Sequence, residues 1–370
     1  MADIRCMVNE SAQTSRQQTG LLTSDREILY SEYDQYVAGS LGRLRHAGVK
    51  PGERVAVSLP NDWQAAVLLM ALFRARAVAC LVDPALDKET VLQRLSAVGC
   101  RRMIAAENHL ESPHLNLVNP DDLMAMFPES PESDEDTRLT ADQPATITWS
   151  ASRAILHSYG NHYYGARGFN HHAKVVSGSR YLLSSPLYRM DGLQVLFQCA
   201  AGGATLVLPN ARESLSESIV RYGVTHLLIS PAELEQLLSD GFTAKRHPSV
   251  RALFVNGLVG DELGRRIHDL KLPVRRCHGV PEAASPVAAG PADTPPDRQL
   301  MAGKMARYCR ARIASNGEIL LKGQSLFLGY VEGTLVRRAV DDDGWFATGD
   351  IGSLDAEEYL TVTSLRDRGN

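Results

Sequence analysis

Paired cysteines are missing from this sequence. Its six, Cys6, Cys80, Cys100, Cys199, Cys277 and Cys309, are scattered, which excludes a zinc-ligand pattern and leaves free, mostly buried thiols as the reading. Long apolar runs are missing too. The longest, Ala65 to Phe73, is broken by Arg74 and Arg76, well short of the roughly 20 residues that span a bilayer, and it reads as a buried helix. Met1 to Gln18 is polar and carries Asp3, Arg5 and Glu10. It lacks the apolar centre of a secretory signal, so a cytoplasmic location is expected. There is no basic excess: 39 Lys and Arg against 43 Asp and Glu give a net charge of -4, and nothing calls for nucleic acid as a partner. His171 and His172, with His157 and His162 upstream, have no Cys, Asp or Glu nearby to complete a coordination set, so no metal site is expected. No internal repeat is visible.

What is present suits a packed globular protein. The 370 residues are 44% hydrophobic and 22% charged, enough for a sizeable interior divided into two or three subdomains. Tyr33, Val37, Leu41 and Leu44 recur at helical spacing, and Gly48 with Pro51-Gly52 ends that helix in a turn. Arg54 to Leu59 reads as a strand, and with the apolar helix through Phe73 and the strand Ala77 to Val82 it makes a strand-helix-strand unit. Parallel α/β architecture follows. A helix over Thr90 to Val98 and a strand at Arg102 to Ala106 continue the pattern.

Pro128 to Asp136 is acidic and proline-bearing, the signature of a surface linker. A second α/β region begins at Ala145 to Thr148, with strands at Tyr181 to Leu183, Ala204 to Leu208, His226 to Ile229 and Ala252 to Val255. Helical patterns at Glu213 to Tyr222 and Ala232 to Leu238 separate them. After Pro281 short strands alternate with Gly and Pro turns, as in Gly317 to Lys322, which suits a small β-rich unit.

Five segments stand in a telling order: Tyr30 to Pro60, Ser185-Pro186-Leu187-Tyr188-Arg189-Met190-Asp191-Gly192, Gly203 to Pro209, Gly279-Val280-Pro281-Glu282, and Gly344-Trp345-Phe346-Ala347-Thr348-Gly349-Asp350. Together they resemble the adenylate-forming acyl-CoA synthetase superfamily along nearly the whole chain. Leu156 to Tyr164 is most similar to the o-succinylbenzoate-CoA ligases of menaquinone biosynthesis. The resemblance implies the large amino-terminal domain of that fold, with α/β subdomains at 1–140 and 141–275, a β-rich subdomain at 276–363 and a hinge remnant at 364–370. It also implies activation of a carboxylate by Mg-ATP to an acyl-adenylate, then transfer to coenzyme A. By the same resemblance, Asn256, Gly257, Gly279, Glu282, Thr348, Gly349 and Asp350 would border the nucleotide, with Asp350 accepting from ribose hydroxyls. Tyr188, Arg189, Met190, Asp191 and Gly192 would lie by the acyl group, Glu282 is the retained catalytic carboxylate, and Asp367 falls on the hinge aspartate.

The departures fall on the chemical positions. The family's phosphate loop reads Thr-Ser-Gly-Ser/Thr-Thr-Gly-x-Pro-Lys, whereas here Trp149-Ser150-Ala151-Ser152-Arg153 supplies no glycine, hence no ready backbone cradle for a triphosphate. A simple turn between strands is expected, with the hydroxyls of Ser150 and Ser152 and the cation of Arg153 remaining. Arg189 replaces a histidine, exchanging a ring for a permanent charge. His278 and Pro281 replace an aromatic and a threonine, and Pro281 offers neither amide nor hydroxyl donor. Ser364 and Leu365 replace the Gly-Arg pair of the hinge. The family adds about 100 residues of mobile domain beyond this point, so its adenylating lysine has no candidate.

The expectation is an AMP-binding, acyl-CoA-synthetase-like protein with a degenerate ATP site, weak or inactive as a ligase and acting by ligand binding or regulation. The alternative is an ATP-dependent acid-thiol ligase whose phosphate loop and carboxy-terminal domain are absent from this sequence. ATP or AMP, Mg²⁺ and, for the alternative, coenzyme A are the implied cofactors. A small carboxylic acid or acyl-adenylate is the implied ligand, and a homodimer the implied assembly. A third reading reuses the cleft without ATP, with His157, His162, His278 or Glu282 doing acid-base work.

Overall fold

The strand-helix units form because β-branched apolar segments alternate with helices whose first amides are capped. Asp62 accepts the Ala65 amide (2.7 Å) at the start of the helix Trp63–Arg74. Asp87 accepts that of Thr90 (2.9 Å) at the start of α1, Lys88–Ala97. Each carboxylate satisfies a donor that has no partner within its own helix. The computed structural model describes residues 3–106, 112–127, 137–291, 293–295, 298 and 301–367; the acidic stretch Pro128 to Asp136 lies outside them.

Among the described residues the strands make three sheets. In the first large sheet Arg54–Ser58 lies between Val78–Leu81 and Arg102–Ala105, parallel to both. On the other side of Val78–Leu81 comes β1, Pro144–Ser150, also parallel. An antiparallel hairpin then joins β1 to β2, Arg153–Ser158, and β2 pairs with β3, Gly329–Glu332. The second large sheet runs parallel through Val274–His278, Ala252–Asn256, His226–Ile229, Arg180–Leu182 and Thr205–Val207. A small third sheet pairs Asp3–Arg5 with Arg138–Thr140.

Sheet membership crosses the boundaries expected at residues 140 and 275. The hairpin that was to open the second α/β region belongs to the first sheet, as does β3 from the expected β-rich region. Thr19–Leu22, near the amino terminus, joins the second sheet beside Thr205–Val207. The physical reason is edge cover: Val78–Leu81 is buried along its length, so its open ladder needs a partner, which β1 supplies. The strands after Pro281 are short, as expected, and pair antiparallel. Apart from β3 and Leu335–Arg337 beside it, they extend the second sheet through Ala288–Ala289 and Gly303–Met305 instead of standing apart.

Two helices lock the hairpin in place. The first, α2 (Tyr159–Ala173), starts directly from β2: Ser158 Oγ accepts the Asn161 amide (3.0 Å) and Asn161 Oδ1 accepts the Ser158 amide (2.8 Å), a reciprocal cap. The second, α3 (Met190–Gly202), packs beside it and ends on Gly203 in the left-handed region. Phe73 stacks on Phe197 of α3 at 5.4 Å, and Tyr159 of α2 meets the same ring edge-on. No helix among the described residues is long and apolar enough to cross a membrane.

Candidate functional site

Parallel sheets leave a crevice at the carboxyl ends of their strands, and ligands collect there. A cavity of about 820 Å³ occupies this position, within the range of small-molecule sites. Leu81 and Asp83 enter its wall from the end of Val78–Leu81, and Thr148 to Ser152 from the hairpin tip. Tyr188 to Asp191 enter from the start of α3, Asn256 from the end of its strand, and Gly279 to Pro281 from the loop after Val274–His278. A side lobe of about 320 Å³ shares Tyr188, Arg189, Asp191 and Asn256 and adds Ser230 and Glu233.

The hairpin tip is the expected simple turn. Ser150 pairs with Arg153, leaving Ala151 and Ser152 as the whole connection, and Ala151 takes the left-handed conformation at φ 51°. Two residues present no loop around a triphosphate. The Thr148 hydroxyl and the Trp149 indole nitrogen are buried without a hydrogen-bond partner among the described residues, and both residues line the cavity.

Around Asp191 the polar groups interlock. Asn256 donates to Asp191 Oδ1 (3.4 Å) and accepts from the Gly279 amide (3.3 Å). Burial raises the Asp191 pKa, against the pull of Arg189 and Asn256. Burial also raises the Tyr188 pKa, with the Asp83 carboxylate adding to it. Arg189 is exposed at the start of α3. Gly192 and Gly257 do not reach the cavity wall. A Cβ at Gly192 would sit 2.2 Å from the Pro186 carbonyl oxygen, so glycine there lets α3 begin close under the wall. Gly257 has φ 134°, and its carbonyl accepts from Arg276 (2.8 Å).

Five other expected site residues lie elsewhere. Glu282, 2% exposed, accepts from the Tyr330 hydroxyl of β3 at 2.6 Å through Oε1, with Arg153 at 4.0 Å. Burial and that carboxylate together raise the Tyr330 pKa. Thr348 donates its hydroxyl to the Ile319 carbonyl (2.8 Å) and accepts the Asp350 amide (3.0 Å). Gly349 has φ 80° and donates its amide to Glu318 (2.8 Å). Asp350 is fully buried: Oδ1 accepts the Arg366 amide (2.8 Å) and Oδ2 is 3.3 Å from His278 Nε2. Arg366 also packs over Gly349, where a Cβ would meet its Cδ at 2.5 Å. Asp367 follows in the same exposed segment.

The histidines also lie off the cavity wall. His157 and His162 are fully buried 5.4 Å apart, and His162 stacks on Phe197 at 4.2 Å while its Nε2 meets the Thr146 hydroxyl (2.8 Å). Burial pushes His157 down to about 3 and lowers His162 as well. Both rings are neutral packing elements, and acid-base work in the cavity has no support from them. All six cysteines are buried and free. Among the described residues no three His, Cys, Asp or Glu side chains group around a metal position.

Among the cavity residues that escaped the sequence reading are two charged ones. Arg94 of α1 lies over the Trp149 ring at 5.2 Å, and Asp83 follows the strand end. The Asp83-Pro84 pair just after a parallel strand was the available signal; for Arg94 there was none, since an arginine on a helix face is ordinarily solvated.

A family model described as AMP-binding enzyme matches residues 8–331. The 2-succinylbenzoate-CoA ligase of Listeria monocytogenes is 24% identical over 357 residues, covering 95% of this chain and 76% of that protein. The ligase of the same name from Bacillus subtilis is 24% identical over 376 residues, 96% of this chain and 77% of that one. Among solved structures, the o-succinylbenzoate CoA synthetase of Bacillus subtilis with the acyl-adenylate intermediate OSB-AMP superposes with a TM-score of 0.87 at 23% identity, covering 99% of this chain and all of the other. The same enzyme with ATP and magnesium ion gives a TM-score of 0.87 at 23% identity, covering 98% and 79%.

Proposed function

The chain belongs to the AMP-binding enzyme family, and from that premise we propose that its cavity binds an acyl-adenylate or the two parts of one, AMP and a small carboxylic acid. The observation that carries this is convergence: Tyr188 to Asp191, Asn256 and Gly279, expected from separate motifs on the acyl and nucleotide sides, wall one cavity. Asn256 offers an amide edge to a base, and Arg189 a charge to a carboxylate.

The 2-succinylbenzoate-CoA ligases among the relatives favour full ligase chemistry with ATP, such an aromatic acid and coenzyme A. In that chemistry a cation must neutralise phosphate charge while the carboxylate attacks. Glu282 keeps Oε1 on the Tyr330 hydroxyl while Oε2 is buried with no hydrogen-bond partner among the described residues, so this one oxygen would be its contribution to holding Mg²⁺. Asp350 reaches a ribose only if the Arg366 segment leaves it. The two-residue turn at Ala151-Ser152 favours a second reading, in which adenylation is slow and the protein acts by holding its ligand or regulating an active relative. A cytoplasmic location and a homodimer belong to both readings.

Titration calorimetry with AMP and Mg-ATP, followed by an acyl-adenylate assay with 2-succinylbenzoate, separates them. Adenylate formation establishes the ligase; AMP binding without adenylate leaves the ligand-binding protein; no binding of AMP or of any acyl-adenylate analogue removes both.

A further inference from the structure

The end of α2 gathers exposed cations from two distant parts of the chain. His171 lies two turns on from Tyr164 on one face of that helix, and Lys174 caps it. Gly168, between them, lets a turn lie directly on the helix: a Cβ there would sit 2.3 Å from the Arg307 carbonyl oxygen. That turn presents Arg307 and Tyr308, and the Tyr308 ring packs on Tyr164 at 5.2 Å. Burial, and then the charges of Arg307 and Lys174, lower the His171 pKa; no carboxylate is among the charges acting on it. Neither Lys174 nor Arg307 pairs with a carboxylate among the described residues. Tyr308 is 44% exposed, and Val176, which emerges beside Lys174 past the buried Val175, is 52% exposed. Lys174 and Tyr308 both take the left-handed conformation, at φ 58° and 68°, which glycine or asparagine adopts with less strain. Folding alone does not call for a lysine and a tyrosine at these two positions.

Like charges held together repel, and a surface of opposite sign relieves that repulsion. The chain as a whole carries -4, so an anionic surface attracts it through a local patch and not through its net charge. A tyrosine ring and a short apolar side chain beside basic groups suit the headgroup level of a bilayer, where the apolar parts enter and the cations stay at the phosphates. We propose that His171, Lys174, Val176, Arg307 and Tyr308 form a docking face for a membrane surface rich in anionic phospholipid, which holds the protein peripherally. The exposed Val176 and Tyr308 favour lipid over an acidic protein, which would be met by the cations alone.

The test is cosedimentation of the intact chain with vesicles of phosphatidylcholine alone and of phosphatidylcholine mixed equally with phosphatidylglycerol, at low and at high salt. Wild type should sediment with the mixed vesicles at low salt and be released as salt screens the charges. Lys174→Glu combined with Arg307→Glu should bind at least about 25-fold more weakly, since each basic group at such a surface contributes about fivefold. Tyr308→Ser should lose a smaller factor and keep the salt dependence. Thermal melting checks each variant; if the double variant unfolds, Lys174→Gly, which suits the left-handed position, with Arg307→Gln takes its place and should lose about the same factor. Equal binding to both vesicles, no binding to either, or undiminished binding by the charge variants overturns the proposal. Retention on immobilised poly-glutamate that depends on Lys174 and Arg307, without vesicle binding, overturns it in favour of an acidic protein partner.

Discussion

The motif residues of this chain exist in two physical states. Arg189, Asn256 and Gly279 stand on the wall of a cavity, whereas Glu282 and Asp350 are sealed, 2% and 0% exposed, with Glu282 Oε1 and Asp350 Oδ1 hydrogen-bonded inside the protein. Both groups are equally readable as letters. The difference is that an open group contributes to ligand affinity and little to stability, while a sealed one contributes to stability and nothing to affinity until it is uncovered. Substitutions in the two regions should therefore move different measurements.

The largest effect is expected from acid on the sealed interior. His157, His162 and His226 all have pKa values lowered by burial, His157 to about 3 and His226 to about 4. Below about pH 6.5 the unfolded chain binds protons that the folded chain does not, so stability is fully present above that pH and falls as acid is added. Each histidine contributes roughly 1.4 kcal/mol per pH unit until its folded value is reached. Urea midpoints from pH 7.5 to 5 should fall steeply, and His157→Phe should make the slope shallower by about one proton. A flat profile would mean that these rings reach water.

Next comes Glu282→Ala. It removes the acceptor of Tyr330 and the counter-charge of Arg153 in a buried setting, and about 3 kcal/mol of stability should go with it. Glu282→Gln should cost less, because the amide oxygen still accepts from Tyr330. AMP affinity should hold in both. A variant of full stability with lost affinity would put Glu282 in the open group and break the comparison.

Arg189→Ala is the converse case. Its side chain is exposed, so stability should stay within about 0.5 kcal/mol of wild type. Affinity for a carboxylate ligand should fall about tenfold, and for the corresponding neutral amide hardly at all. Equal losses for the two ligands would remove the charge-pairing role.

How much of this was legible follows from the range of the interactions concerned. Helices such as Tyr30–His46 and strands such as Arg54–Ser58 were readable because period and caps lie within a few residues. The two-residue turn after Ser150 was readable from missing glycines. That β1 would join the first sheet was not, since its partner residues lie 67 positions earlier, Ala79 against Thr146, and the open edge is a property of the assembled sheet. The sealing of Glu282 was equally hidden, because it depends on Tyr330, 48 residues away. Motif order pointed to candidate side chains, but exposure was decided by distant packing.

The smallest expected effect tests that last point most finely. Asp350→Asn keeps the shape of the side chain and an oxygen for the Arg366 amide, but removes the charge beside His278. About 1 kcal/mol of stability should be lost, the ordinary difference between a charged and a neutral hydrogen-bond acceptor. AMP affinity should not change if the segment carrying Arg366 stays over the carboxylate. Arg366→Pro deletes the amide that covers Oδ1 while leaving Asp350 in place, so it separates cover from contact. If Asp350 meets a ribose once uncovered, Arg366→Pro should tighten AMP binding and adding Asp350→Asn should abolish the gain. If AMP affinity is the same in all three variants, Asp350 belongs wholly to the sealed region and the nucleotide is held from Asn256 and Gly279 alone.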